Sequence, residues 1–120
     1  MSAWQTELLE NFNIAFNLHD VDGMMALMTE DCIFENTDPP PAETKYHGVF
    51  AVREFWEQFF RASPQAHIEV EETFVGADWA SQPWTCRWVD ERGNAGHVRG
   101  VDVFRFREGK IAEKLSYVKG

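Results

Sequence analysis

Cysteine is scarce in this chain of 120 residues, and the two present, Cys32 and Cys86, stand far apart with no CxxC pairing. A cysteine-based metal cluster or redox motif is therefore not expected, and both read as buried free thiols rather than a disulfide. Basic residues are also few: 11 Lys and Arg against 20 Asp and Glu give a formal charge of -9. Such a surface repels phosphate backbones and anionic lipid, so neither nucleic acid nor a membrane is an expected partner. No apolar run approaches the ~20 residues that span a bilayer, and the N-terminus has no basic stretch leading into an apolar one. A cytoplasmic location is the expectation. Internal repeats and low-complexity linkers are absent as well, which leaves a single domain over 1–120 as the expected organisation.

Aromatic and apolar residues are plentiful: 44% of the chain is hydrophobic, with ten Phe and five Trp, enough for one sizeable core. Trp4, Leu8, Phe12, Ala15 and Phe16 fall at helical spacing within 2–18. His19–Gly23 breaks that pattern, and Asp20 is placed to cap a short second helix carrying Met24, Met25, Leu27 and Met28. Methionines so spaced serve either as core filler or as an adaptable pocket wall. Asp31–Asn36 predicts a short strand with Cys32, Phe34 and Asn36 on one face. The segment from Thr37 to Glu43, with its three consecutive prolines, predicts a stiff surface loop or pocket rim that Tyr46-His47-Gly48 closes. Val49 to Arg61 predicts a helix with an aromatic face of Phe55, Trp56, Phe59 and Phe60, ended by Ser63-Pro64.

The remainder reads as strands: His67–Val75, Trp79–Asp90 with Trp84, Cys86 and Trp88 on one face, Val98–Arg107, and Ile111–Val118. Pro83 demotes the first half of the second of these to an edge or a bulge. The tip from Asp90 to Gly96 and the tight Glu108-Gly109-Lys110 turn make hairpins. Helices first and a strand meander last predict an α+β domain with helices on one face of a curved, mainly antiparallel sheet. In the third strand Val98, Gly100, Asp102, Phe104 and Phe106 share a face, so one carboxylate keeps apolar company. Asp102 either bonds an indole N–H of Trp84 or Trp88 or a backbone donor inside the core, or it serves a site open to substrate. Glu35, Glu69 and Glu71 read as solvated sheet-face charges. Arg99, Arg105 and Arg107 lie on the opposite face from Asp102, paired with glutamates across strands or across a dimer that includes Trp79. His97 shares their parity. His19, His47 and His67 lack a ligand spacing, and neither a metal nor an organic cofactor is expected.

Taken together, Phe16–Leu27, Asp31–Asn36, Gly48–Trp56 and Val101–Phe106 resemble the nuclear transport factor 2-like superfamily, in its ketosteroid isomerase-like and SnoaL-like branch, over nearly the full length. The resemblance implies a cone-shaped half-barrel with an apolar pocket between sheet and helices, and homodimers through the outer sheet face. It places Asp102 where the steroid isomerases carry a carboxylic acid that donates to an oxyanion. Their oxyanion tyrosine corresponds to Phe12, their general base to Asn36, and a supporting tyrosine to Trp56. With no hydroxyl at Phe12 and an amide at Asn36 that takes no proton at neutral pH, steroid isomerisation by that mechanism is not expected. What remains is a pocket protein for an apolar small molecule, an isomerase, cyclase or hydrolase in which Asp102 acts as acid or hydrogen-bond donor and Asn36 orients an oxygen or a water. Phe12, Phe34, Tyr46, Phe55, Trp56, Phe59, Trp84, Trp88, Phe104 and Ser116 are the expected substrate contacts. The competing expectation is a non-catalytic binding or dimerisation module, since this fold hosts both.

Overall fold

The computed structural model describes residues 3–36, 44–90 and 92–119. Helix α1 (Trp4–Asn17) buries Leu8, Leu9, Phe12, Ala15 and Phe16 along one stripe. It stops at His19, whose backbone turns left-handed at φ 56. The His19 ring holds that geometry by bonding the Ala66 carbonyl at 2.7 Å and stacking on Phe60 at 4.2 Å. Asp20 does cap α2 (Val21–Met25), its carboxylate accepting from the Gly23 N–H at 2.9 Å. Leu27 and Met28, expected on that helix, leave it because the sheet recruits them. The Leu27 carbonyl accepts from the Ile111 N–H at 2.9 Å, and Met28 opens strand β1 (Met28–Asn36).

β1 is longer than the apolar alternation marks, and its Glu35 is buried rather than solvated, at 6% exposure. Strands on both sides cover it, since Glu35 pairs in register with Lys45 on β2 (Thr44–His47) and Leu115 on the last strand. The Lys45 ammonium lies 3.7 Å from its carboxylate. β2 replaces the expected loop closure at Tyr46, whereas the proline tract Thr37–Glu43 lies outside the described residues. Helix α3 (Val49–Ala62) buries Val52, Trp56 and Phe60, with Phe55 and Phe59 packed against the same core.

The expected strand His67–Val75 is two pieces, β3 (His67–Val70) and β4 (Phe74–Val75), both paired with β5 (Trp79–Val89). The amide of Asn17 accepts from the Ile68 N–H at 2.8 Å and donates to its carbonyl at 3.0 Å, which occupies part of the free edge of β3. β5 itself is no edge. It pairs without interruption with β6 (Ala95–Arg107) from Trp79↔Arg105 to Val89↔Ala95. Pro83 is tolerated because its carbonyl, which accepts from Glu71 N–H at 2.9 Å, faces the break between β3 and β4. The missing donor faces the same break. β7 (Lys110–Val118) completes a sheet ordered β2-β1-β7-β6-β5-β3, with β1 and β7 parallel and the other pairs antiparallel. Register shifts in β1 against β7 and in β6 against β7 curve this unclosed sheet around the helices. The fold is α+β, as the element order predicts.

On the outer face, Arg87 on β5 pairs with Glu69 on β3 at 3.4 Å, and Arg99 on β6 pairs with Glu71 in the break after β3 at 3.2 Å, both within one chain. Arg107 pairs with Asp31. No helix among the described residues is long and apolar enough to cross a membrane. At the β5–β6 turn, hydrogen bonds from the backbone N–H groups of Asn94 and then Arg92 hold the Asp90 carboxyl below its ordinary 3.8, against a smaller opposing effect of desolvation. A depressed folded value means stability that is present above the unfolded value and lost as pH falls through the folded one. Asp90→Ala is accordingly expected to lower the melting midpoint at neutral pH, with the gap to the native protein closing below about pH 4. A gap of constant size in a thermal-melt series from neutral to acid pH overturns this assignment.

Candidate active site

The site is assembled by sheet register. In the β6–β7 ladder Asp102 faces Ser116, and Phe104 faces Lys114. In the parallel β1–β7 ladder Phe34 faces Lys114. Side chains two residues apart on a strand share a face, so Lys114 and Ser116 both point to the helix side with Asp102, and Lys114 reaches Asp102 on the diagonal. The Ser116 hydroxyl donates to Asp102 Oδ1 at 2.7 Å. The Lys114 ammonium stands 3.0 Å from Asp102 Oδ2 and donates to Ser116 Oγ at 3.2 Å. It also lies over the Phe34 ring at 4.8 Å and the Trp56 ring at 5.3 Å. All three polar residues are buried, at 2% for Asp102 and 6% for Lys114 and Ser116.

Asp102 therefore answers to Ser116 and Lys114, and the indole of Trp84 is not its partner. The Nε1 atoms of Trp84 and Trp56 are buried with no hydrogen-bond partner. Lys114 was not among the expected site residues. Its signal was the alternation of β7, where Lys114 shares the inward parity of Ser116 while the apolar Leu115 faces out.

A cavity of about 840 Å³ opens between the sheet and α3, and Asp102, Lys114 and Ser116 line it. Of the expected contacts, Asn36, Phe34, Tyr46, Phe55, Trp56, Phe59, Trp84 and Trp88 line it too. Phe34 stands at the centre of the aromatic wall, 4.9 Å from both Phe55 and Trp56 and 6.0 Å from Tyr46. Phe12 and Phe104 are not lining residues. They pack edge to face at 6.5 Å, exposed by 1% and 0%, behind the cavity. Cys86 and Phe16 are lining residues that the sequence reading passed over. Burial pushes the Cys86 thiol up, an effect the nearby Lys114 ammonium partly offsets. Among the described residues, no three His, Cys, Asp or Glu side chains gather as a metal site.

Compared with known proteins, residues 9–114 match the family model of the SnoaL-like domain. The chain belongs to that family. This SnoaL-like protein shares 36% identity with an NTF2-like protein of unknown function from Mesorhizobium loti, over 98% of its own length and 92% of the other chain, at a TM-score of 0.80. Rv0760c of Mycobacterium tuberculosis, crystallised with estradiol-17β-hemisuccinate, is 22% identical over 97% and 94% of the two chains at a TM-score of 0.84. A ketosteroid isomerase-like-fold protein from Catenulispora acidiphila, in complex with trimethylamine, is 11% identical over 92% and 84% at a TM-score of 0.83. These last two similarities concern the fold. No curated protein matches the chain.

Proposed function

We propose that this SnoaL-like protein binds an apolar small molecule carrying one neutral oxygen group, a carbonyl, hydroxyl or epoxide, and acts on it at Lys114, Asp102 and Ser116. One observation carries the reading: a buried carboxylate, ammonium and hydroxyl in mutual contact on the wall of an aromatic-lined cavity. Two N–H bonds of Lys114 are directed to Asp102 and Ser116, which leaves the third for an oxygen of the ligand. The cluster is neutral overall, so a neutral oxygen is accommodated without competing for the ammonium, whereas a carboxylate ligand would compete with Asp102. In this role Lys114 is the hydrogen-bond donor that polarises the oxygen, while the Asp102 carboxylate takes the proton that leaves the substrate carbon or an attacking water as negative charge develops on that oxygen. An isomerase, cyclase or hydrolase reaction needs no cofactor beyond these groups. The ligand-bearing relatives of the same fold support a small-molecule role.

The amide of Asn36 favours a second, non-catalytic reading, in which the pocket binds and does not turn over. Among the described lining residues Asp102 is the one carboxylate, and Asn36 takes no proton at neutral pH. In either reading the chain works as a homodimer through the outer sheet face, where Trp79 and Tyr117 are exposed by 41% and 48%. The deciding assay is turnover of a panel of enones, lactones and epoxides by the native protein and Asp102→Asn. The enzyme reading expects product from at least one class, reduced about 100-fold or more in the variant, the usual weight of a proton-transfer group. Binding without turnover anywhere in the panel sinks it in favour of the second reading.

A further inference from the structure

Two tryptophans on the sheet side of the cavity lie across glycines. In the β5–β6 ladder Trp84 faces Gly100 and Trp88 faces Gly96, with Cys86 and Val98 paired between them. A β-carbon on Gly96 would stand 2.7 Å from Cε2 and Cζ2 of Trp88, and one on Gly100 would stand 2.7 Å from Cζ2 of Trp84. Carbon atoms in contact sit about 3.5–4.0 Å apart, so each indole occupies the space a side chain at its partner would need. Backbone conformation is not the reason for these glycines. The positive-φ glycines are Gly48, Gly93 and Gly109, and neither Gly96 nor Gly100 is among them. Both indoles are thereby laid against β6 instead of standing up into the cavity that Trp84, Trp88 and Val98 line.

We propose that Gly96 and Gly100 are specificity-determining residues: by seating Trp88 and Trp84 on the strand they set the depth of the pocket and so the length of ligand it admits. This rests on the reading of the cavity as a ligand site. The two positions are not equivalent. At Gly100 an added β-carbon also meets the Tyr117 backbone carbonyl at 2.5 Å, so substitution there disturbs the β6–β7 ladder. At Gly96 the three nearest atoms all belong to the Trp88 ring, so the ring and not the backbone must give, by roughly 1 Å, and a shift away from β6 carries it toward the cavity it lines. Gly96 lies six positions from Asp102 on β6, about 20 Å at the ordinary strand rise, so the polar cluster is untouched. A ligand whose oxygen is held at Lys114 meets Trp88 only if it is long.

The test uses two neutral ketone fluorophores, prodan, built on naphthalene, and its longer anthracene homologue anthradan, titrated into the native protein, Gly96→Ala, Trp88→Ala and the double variant. Gly96→Ala is expected to weaken anthradan by about tenfold or more and prodan by less than about threefold. In the Trp88→Ala background the same substitution is expected to change neither. Proton NMR supplies a readout without ligand: the Gly96 α-protons, lying against the indole face, resonate upfield of ordinary glycine, and the Trp88 indole N–H resonance moves in Gly96→Ala. Equal weakening of both fluorophores, an effect that persists without Trp88, or ordinary glycine shifts at Gly96 overturns the proposal while leaving the pocket reading intact. Failure of both fluorophores to bind the native protein brings down the pocket reading, and this inference with it.

Discussion

Lys114→Met is expected to destabilise the protein by about 3–5 kcal/mol, the usual consequence of removing one partner of a buried ion pair. Asp102 is 2% exposed and Lys114 6%, so the carboxylate left without its ammonium meets little solvent to replace it. The Asp102 carboxylate would keep only the Ser116 hydroxyl at 2.7 Å. The pair as a whole is a different matter. Two charges brought out of water repay little more than their desolvation, so exchanging both for apolar side chains is often neutral or stabilising. The double variant Lys114→Met/Asp102→Leu is therefore expected to recover most of the lost stability while losing preference for a carbonyl-bearing ligand over its hydrocarbon analogue. Urea denaturation of the native protein, both single variants and the double completes the cycle. A single Lys114→Met variant within about 1 kcal/mol of native, below the range for breaking a buried pair, would show that water reaches the cluster. A double variant that stays as weak as the single one would show that the pair stabilises the fold by itself. A pair retained at this position at little net gain in stability fits a functional role better than a structural one.

Phe104→Ala is expected to cost a comparable 3–5 kcal/mol, about the usual figure for emptying a buried Phe site, but with no change in ligand selectivity. Phe104 is fully buried against Phe12, outside the cavity lining. The milder Phe104→Leu keeps most of the packing, and its affinity for prodan should match that of the native protein. If Phe104→Leu unfolds at the native midpoint yet binds prodan several-fold more weakly, Phe104 belongs to the site after all. The contrast with Gly96 is useful. A buried aromatic on the inner row of β6 carries stability and no specificity, whereas a glycine at the other end of that row is assigned the reverse.

The features legible in the sequence were those set by neighbours along the chain. The buried stripe of α1 and the aromatic face of α3 follow from helical spacing, and the inward parity of Asp102, Phe104 and Phe106 follows from the two-residue repeat of a strand. The family resemblance adds the half-barrel, and the match over 9–114 agrees with it. Lys114 escaped because a lysine on a terminal strand ordinarily lies in solvent. Its burial comes from partners distant in sequence, Phe34 and Asp102, which the parallel β1–β7 ladder and the antiparallel β6–β7 ladder bring to either side of it. The break between β3 and β4 was hidden because Ile68, Val70 and Phe74 keep one parity across the polar Glu71-Glu72-Thr73 segment, which has no apolar alternation of its own and which the pairing with β5 leaves out. Phe12 and Phe104 look no different by composition from the pocket's Phe34 and Phe55. Which phenylalanine touches a ligand depends on where along the curved sheet the helices cease to cover it.

By itself, then, the sequence determined the element order, the α+β class, the inward carboxylate at Asp102 and the aromatic character of its surroundings, because each is written in spacing that a single helix or strand reads locally. Tertiary structure alone decided what Asp102 is bonded to, which aromatics border the cavity and how deep it is. Those depend on register between strands far apart in the chain. A shift of one residue in β7 would turn Lys114 and Ser116 to the outer face and leave Asp102 without either.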